Sequence, residues 1–171
     1  MSEGAPRWRI EPIRKDHLRV DFECGIAELD AFIHKYARQN ERLGLGRTFV
    51  ATRETSDRVV GYFTLRAGSV QCSELPPEET KRLPKYPVPV VHLARLAVDR
   101  SAQGQRLGEH LLFNALRKAH DATNVIAAFA VEVIAIDARA RDFYIKYGFK
   151  PLVRDELHLY LPLKTLSKIF A

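Results

Sequence analysis

Little in this chain marks it for export, for a membrane or for a metal. It has two cysteines, Cys24 and Cys72, too far apart for a metal-type pair and too few for a disulfide scaffold. They read as reduced, half-buried thiols, and neither has a histidine–acid pattern beside it that would make it an acyl-carrying nucleophile. The N-terminus, MSEGAPRWRIEP, lacks the apolar core of a signal peptide. The longest apolar run, Val125 to Ile136, is broken by Glu132 and is too short to span a bilayer. No repeat and no linker divides the chain, so one domain over 1–171 is expected, in a cytoplasmic protein with no membrane segment and no metal. What is present is a core and a charge. At 171 residues and 46% hydrophobic, the chain can fill one compact interior. Its formal charge of +6, from 27 Lys and Arg against 21 Asp and Glu, favours an anionic partner, either phosphate groups or nucleic acid.

The hydrophobic pattern predicts a mixed α/β sheet with helices on its faces. Trp8 to Ile13 alternates as a half-buried strand does, and Asp21 to Gly25 is a turn. Ile26, Leu29, Ile33, Tyr36 and Ala37 recur at helical spacing, which predicts a helix over Ile26 to Asn40, ended by Gly44 and Gly46. Arg47 to Arg53 and Val59 to Arg66 form a hairpin across a polar link. A short helix is expected within Leu75 to Leu83, after Pro76 and Pro77. Three prolines between Leu83 and Val90 enforce an extended segment leading into a strand over Val90 to Val98. Leu107, Leu111, Leu112, Ala115, Leu116 and Ala119 line one face of a helix over Leu107 to Ala119. Val125 to Ile136 reads as a strand buried on both faces. Asp137 caps a helix to Tyr147, which Gly148 stops. Phe149 to Val153 and Leu157 to Leu163 complete the sheet.

Two segments carry chemistry. A strand, a polar turn and the helix opening at Leu107 follow one another within a dozen residues. The first N–H groups of a helix lack internal partners and sit at the positive end of its dipole, so a pyrophosphate suits them. Gly104 and Gly108 allow close approach of the main chain. An ordinary strand-to-helix turn has the same composition, and on this loop alone the two readings stand level. Forty residues on, Ala140, Phe143, Tyr144 and Tyr147 share one helix face. A core tyrosine with a hydrogen-bonded hydroxyl and a tyrosine that donates a proton both fit that pattern.

With those residues in view, the chain resembles the GNAT acyltransferases, the Gcn5-related N-acetyltransferase superfamily. Their loop reads Gln/Arg-x-x-Gly-x-Gly/Ala. Gln103 and Gly108 match its ends, while Arg106 stands where the first glycine is usual. First-turn residues usually take ordinary helical angles, so Arg106 is expected to keep such angles and to add positive charge beside the pyrophosphate or the 3′-phosphate of coenzyme A. Ala140, Phe143, Tyr144, Gly148 and Phe149 match the next motif, with Asp137 in place of the common asparagine. The resemblance implies a GNAT fold, a central, mostly antiparallel sheet splayed at the acetyl-CoA site. It implies acetyl-CoA as cosubstrate, held by Gln103, Gly104, Gln105, Arg106, Leu107 and Gly108 at the pyrophosphate. The backbone of Leu96, Ala97 and Val98 runs along the pantetheine arm, Asp137 and Phe143 lie nearby, and Tyr144 protonates the departing thiolate. Many members carry a glutamate base on the strand before the loop. Here that strand offers only His92, and a lone histidine is more often structural. An α-amine titrates near 7.7–8.0 and a lysine near 10.4, so a missing base points to an α-amine acceptor.

Within the superfamily the chain is most similar to the TacT-like toxins of bacterial toxin–antitoxin pairs. The matching pieces are Phe22 to Gly25, then Leu29, Asp30 and Phe32, then Gly61 to Leu65, and above all the proline segment Arg82 to Val90 running into Leu93 to Asp99. This branch acetylates the α-amine of charged tRNA and blocks translation. A ribbon–helix–helix antitoxin neutralises it, and its members are commonly dimeric, so a homodimer is among the expected assemblies. The resemblance then gives the basic residues a use. Lys35, Arg38 and Arg42 on the first helix, Arg82 and Lys85 (with Lys81) in the proline segment, and Arg95 and Arg139 (with Arg141) near the motifs are candidates for tracking tRNA phosphates. Each alone reads equally well as a solvated charge, and Arg95 also as a structural ion-pair member. An acetyltransferase for protein N-termini or small amines, and a non-catalytic binding protein on the same fold, are the alternatives.

Overall fold

The computed structural model describes residues 7–170. Seven strands form one sheet: β1 (Trp8–Pro12), β2 (Arg47–Arg53), β3 (Val59–Val70), β4 (Val88–Val98), β5 (Ala130–Ile134), β6 (Lys150–Leu152) and β7 (Asp155–Pro162). Their order across the sheet is β1-β2-β3-β4-β5-β7-β6. Pairing is antiparallel at β1–β2, β2–β3, β5–β7 and β6–β7, and parallel at β4–β5. The helices are α1 (Ala27–Ala31), α2 (Ala37–Leu43), α3 (Pro77–Thr80), α4 (Leu107–Ala122), α5 (Ala138–Lys146) and α6 (Leu163–Ile169). This is the mixed α/β architecture that the pattern predicts, with the mostly antiparallel sheet that the resemblance implies. The chain divides into two compact units, and the division runs through β3, β4 and α4.

The first unit takes in the chain to Leu65 together with Arg95–Ala115. Its core joins Phe22, Phe32, Ile33, Val50, Val59, Tyr62 and Ala97. Each large side chain among them gains about 1.5–3 kcal/mol on leaving water. The helical periodicity that begins at Ile26 is real, but it is not one α-helix. A π-helical turn, Phe32–Tyr36, separates α1 from α2. Such turns cluster at functional sites. Here it sits where Arg19 donates to the Ile33 carbonyl at 3.2 Å and His34 Nε2 donates to the Phe22 carbonyl at 2.8 Å. The hydroxyl of Tyr62 donates to the Leu29 carbonyl, tying β3 to α1.

The second unit takes in Arg66–Ala94 together with Leu116–Ala171. Val70, Leu75, Val88, Val90, Ala130, Leu152 and Tyr160 form its core. Three expectations fail here. The strand expected over Val125 to Ile136 is only Ala130–Ile134, because α4 runs on to Ala122 and closes in a turn. In that turn Val125 and Ile126 both donate to the Ala122 carbonyl, and both side chains face solvent. Nor is β5 buried on both faces to its end, since Ile134 and Ile136 are more than half exposed. The strand expected over Leu157 to Leu163 stops at Pro162, and the unforeseen α6 begins at Leu163, burying Leu163 and Leu166. A helix of two turns is too short for its period to stand out beside a preceding strand.

Candidate active site

The loop after β4 is built on one buried carboxylate. Asp99, 2% exposed, accepts from the Glu23 amide at 2.8 Å through Oδ1, and from the Ser101 amide and hydroxyl through Oδ2. Burial alone would raise this carboxyl. The Ser101 hydroxyl, the two amides and the nearby Arg58 outweigh it and hold Asp99 below the ordinary carboxylate range. A 3-10 turn, Arg100–Ala102, follows. Gln103 then folds its side chain back, Nε2 donating to the carbonyls of Val98 at 3.0 Å and Cys24 at 3.2 Å. Gln105 does likewise to the Ser101 carbonyl. The side chains of both glutamines therefore brace the loop. Its main chain stays open: the amides of Gly104 to Gly108 find no acceptor among the described residues.

Two residues turn the chain into that arrangement. Gly104 has φ 79, and a Cβ there would meet nothing within 4 Å. Arg106 has φ 64, left-handed, with its side chain exposed. The expectation of ordinary helical angles at Arg106 is thus wrong. The position that is usually glycine keeps a glycine-like conformation, and arginine bears the strain, because the chain must reverse hand before α4 begins at Leu107. Successive open amides at a helix N-terminus fit a diphosphate, the donor set that such a group requires.

At the start of α5, Asp137 is extended and its Oδ1 accepts from the Ala140 amide at 2.8 Å, so the helix-cap reading of this residue is present in the structure. About two helical turns further, Tyr144 is 6% exposed. Phe143 and Phe149 meet its ring edge-on at 5.2 and 5.4 Å. The hydroxyls of the other two deeply buried tyrosines are used: Tyr62 donates to Leu29 and Tyr160 to Glu79. The Tyr144 hydroxyl has no partner among the described residues. Burial pushes its phenol well above the ordinary value, so the proton stays on oxygen at neutral pH. The oxygen is not among the side-chain atoms sealed from solvent, so it stays open to a bound group although the ring is buried.

The remaining candidates divide by unit. In the first, Lys35 and Arg42 are exposed and Arg38 is half-buried on one helical stretch. Arg95 makes a cation–π contact, its guanidinium 3.7 Å over the Phe32 ring. Ala97 is buried in the core, with Leu96 and Val98 half-buried beside it on β4. In the second, Lys81, Arg82, Lys85 and Arg139 are exposed, while Arg141 pairs with Asp142 and Glu156. Burial, with Asp30 beside it, pushes the Cys24 thiol to about 11, which disfavours the thiolate that a nucleophile needs. Two contributors escaped the sequence reading. Asp99 looked like the end of a strand, although an acid two residues before serine is a turn signal. Arg19 gave no signal, and the burial that lowers its pKa, together with the charge of Arg38, appears only in three dimensions. Among the described residues no group of three His, Cys, Asp or Glu is placed to hold a metal, and no helix is long and apolar enough to cross a membrane.

Comparison with known proteins agrees with this geometry. The acetyltransferase (GNAT) domain family matches residues 20–158. The chain is 40% identical over 145 residues to a tRNA-acetylating toxin of Mycobacterium tuberculosis, covering 85% of this chain and 86% of that one. It is similar to the solved structure of AtaT complexed with acetyl-methionyl-tRNAfMet, with TM-score 0.90 and 30% identity over 96% of this chain and all of that one. It is also similar to a tyrosine-to-phenylalanine mutant of AtaT bound to acetyl-CoA and the C-terminus of the antitoxin AtaR, with TM-score 0.82 and 28% identity over 96% and 98% of the two chains. The chain belongs to the GNAT acetyltransferase family.

Proposed function

We propose that this chain is an acetyl-CoA-dependent N-acetyltransferase toxin that acetylates the α-amine of aminoacyl-tRNA and so blocks translation. The observation that carries the chemistry is the Tyr144 hydroxyl, protonated and without a partner among the described residues, on a side chain whose ring is buried. The acceptor follows the tRNA-acetylating relative and the tRNA-bound neighbour.

In this reading the open amides of Gly104 to Gly108, with the main chain of Gln103, bind the diphosphate of the coenzyme. The side chain of Gln103 holds the loop in shape. Arg106 adds a charge that reaches a phosphate from an exposed position. The backbone of Leu96, Ala97 and Val98 carries the pantetheine arm as an added strand would, and Asp137 and Phe143 set α5 and the ring of Tyr144. Bound acetyl-CoA supplies an activated thioester. Tyr144 donates its proton to the sulfur as the C–S bond breaks, a transfer that alignment and the charge developing on the departing sulfur drive. Lys35, Arg38, Arg42, Arg82, Lys85 and Arg139 follow the phosphates of the tRNA, and Arg95 holds the acceptor side through Phe32. The whole of 1–171 serves as one acetyltransferase domain. A ribbon–helix–helix antitoxin covers it, a homodimer is the working assembly, and the cytoplasm is the place of action.

The direct test is mass spectrometry of charged tRNA pools after incubation with the protein and labelled acetyl-CoA. An N-acetylated aminoacyl end is expected. Turnover of simple amines with untouched charged tRNA sinks the tRNA reading. Absence of acetyl-CoA binding in calorimetry sinks catalysis altogether and leaves a binding protein.

A further inference from the structure

His92, Glu132 and His158 form a polar line across the second unit that the proposed mechanism leaves unused. Glu132 is 6% exposed. His92 Nδ1 lies 2.6 Å from its Oε1, and His158 Nε2 lies 2.5 Å from its Oε2. Burial would raise the Glu132 carboxyl, but the two imidazoles against it, His158 by a hydrogen bond and His92 by close approach, outweigh it and hold it below its ordinary value. The space is reserved for these groups. A Cβ on Gly68 of β3 would stand 3.3 Å from the His92 Cβ and 3.8 Å from Glu132 Oε1. A buried carboxylate flanked by two imidazoles is expensive in a strand otherwise made of Ala, Val and Ile.

The geometry points to His92 as the general base that takes a proton from the acceptor amine, with Glu132 as its positioning residue. Nδ1 lies 2.6 Å from the carboxylate, off the line of a hydrogen bond, and the charge beside it favours the proton on Nδ1, which leaves the lone pair on Nε2. Nδ1 is sealed from solvent, whereas Nε2 is not among the sealed atoms and meets no partner among the described residues. His92 pairs in register with Glu132, and the parallel ladder of β4 and β5 stops one rung later, at Leu93 and Val133, although β4 runs on to Val98. The open nitrogen therefore stands beside the last rung of that ladder. The inference rests on the reading of the chain as an amine acetyltransferase. An ammonium must lose one proton before its nitrogen can attack and a second once the amide has formed. His92 Nε2 takes the first; the nitrogen bonds to the acyl carbon; the sulfur leaves with the Tyr144 proton. The imidazolium, held by the Glu132 carboxylate, returns its proton to solvent, and the proton shed by the new amide restores the phenol.

The test compares wild type, H92Q, H92A and E132Q with two acceptors, charged tRNA and an amino acid amide. Calorimetry with acetyl-CoA and circular dichroism report on folding. H92Q is expected to lose about 10²–10³-fold in kcat with unchanged acetyl-CoA affinity. E132Q is expected to lose about 10–100-fold. Added imidazoles should restore H92A, the more basic ones more strongly, which a structural role would not produce. Activity of H92Q within twofold of wild type overturns the assignment, and so does a folded, acetyl-CoA-binding H92A that imidazole leaves inactive. Should both His92 variants fail to fold, E132Q decides alone, and wild-type kcat in it refutes the dyad. Wild type that acetylates the amide but not charged tRNA sinks only the tRNA reading; the amide assay still tests His92. Wild type silent on both acceptors sinks that reading and this inference together.

Discussion

In the first unit the loop from Gln103 to Gly108 offers main-chain N–H groups and spends its side chains on holding itself in place. In the second, α5 satisfies its first turn with Asp137 and offers one side-chain hydroxyl, on Tyr144. The loop accepts a non-glycine residue at φ 64. The helix breaks no local rule. A diphosphate is large and multiply charged, so it is met best by several weak donors fixed in direction. A single proton transfer needs one group in one place. The loop can therefore tolerate changes in many side chains, whereas the helix should tolerate none at Tyr144.

The largest expected effect tests that asymmetry. Tyr144→Phe removes one oxygen that bonds nothing among the described residues, so stability should hold or rise slightly. Turnover of charged tRNA should fall by about 10²–10⁴-fold. Tyr62→Phe is the control. It removes a hydroxyl that donates to Leu29, so it should lower the melting temperature and leave kcat alone. Wild-type turnover in Tyr144→Phe, measured by acetyl transfer to charged tRNA, would make Tyr144 a core residue and remove the contrast.

Next comes the support of the loop. Asp99→Ala strands the Glu23 and Ser101 amides and should cost about 2–3 kcal/mol, followed by urea denaturation. Asp99→Asn carries the pH signature. The native carboxyl lies below its unfolded value, so it contributes stability that is full above the unfolded pKa, near 3.9, and is lost as pH falls through the native one. Wild type should therefore lose stability below about pH 4 more steeply than Asp99→Asn. Parallel acid profiles would show that the carboxylate does not hold the loop. A smaller effect is expected at the other site: Asp137→Ala should cost about 1 kcal/mol in melting experiments and leave acetyl-CoA affinity unchanged if the cap is its whole role. A drop in affinity would give it a coenzyme contact as well.

What the chain disclosed before folding follows the same line. α4 and α5 were legible because their apolar faces recur at 3.6 residues, and Asp137 because a cap is a local event. β5 was read five residues too early because Val125 and Ile126 are apolar yet close a turn. Periodicity alone does not separate an exposed apolar turn from a strand. Tyr144 was legible as a candidate for two roles, and the structure adds that the hydroxyls of Tyr62 and Tyr160 are bonded while its own meets no partner among the described residues. His92 read as a lone histidine because its partners lie 40 and 66 residues away in sequence, and only the register of β4, β5 and β7 joins them. The hand of Arg106 was hidden for the opposite reason. Residue type restrains φ weakly unless the residue is glycine or proline, and here the surrounding bonds set it.

Arg106 therefore gives the smallest effect and the sharpest division between the two regions. A left-handed conformation costs a residue with a Cβ roughly 1–2 kcal/mol, and glycine returns part of that gain through its larger freedom when unfolded. Arg106→Gly should raise stability by about 0.5–1 kcal/mol, since the exposed side chain has no packing to lose. Arg106→Ala keeps the strain and loses the charge, so its stability should match wild type. Calorimetry with acetyl-CoA then separates charge from conformation. If the guanidinium meets a phosphate, both variants weaken binding to a similar extent, and the loss shrinks as salt rises. If the arginine does nothing but occupy a strained position, Arg106→Gly binds as well as wild type and melts higher. An Arg106→Gly that is no more stable than wild type would mean the loop does not hold φ 64, and the idea of a phosphate cradle held open by backbone strain would go with it.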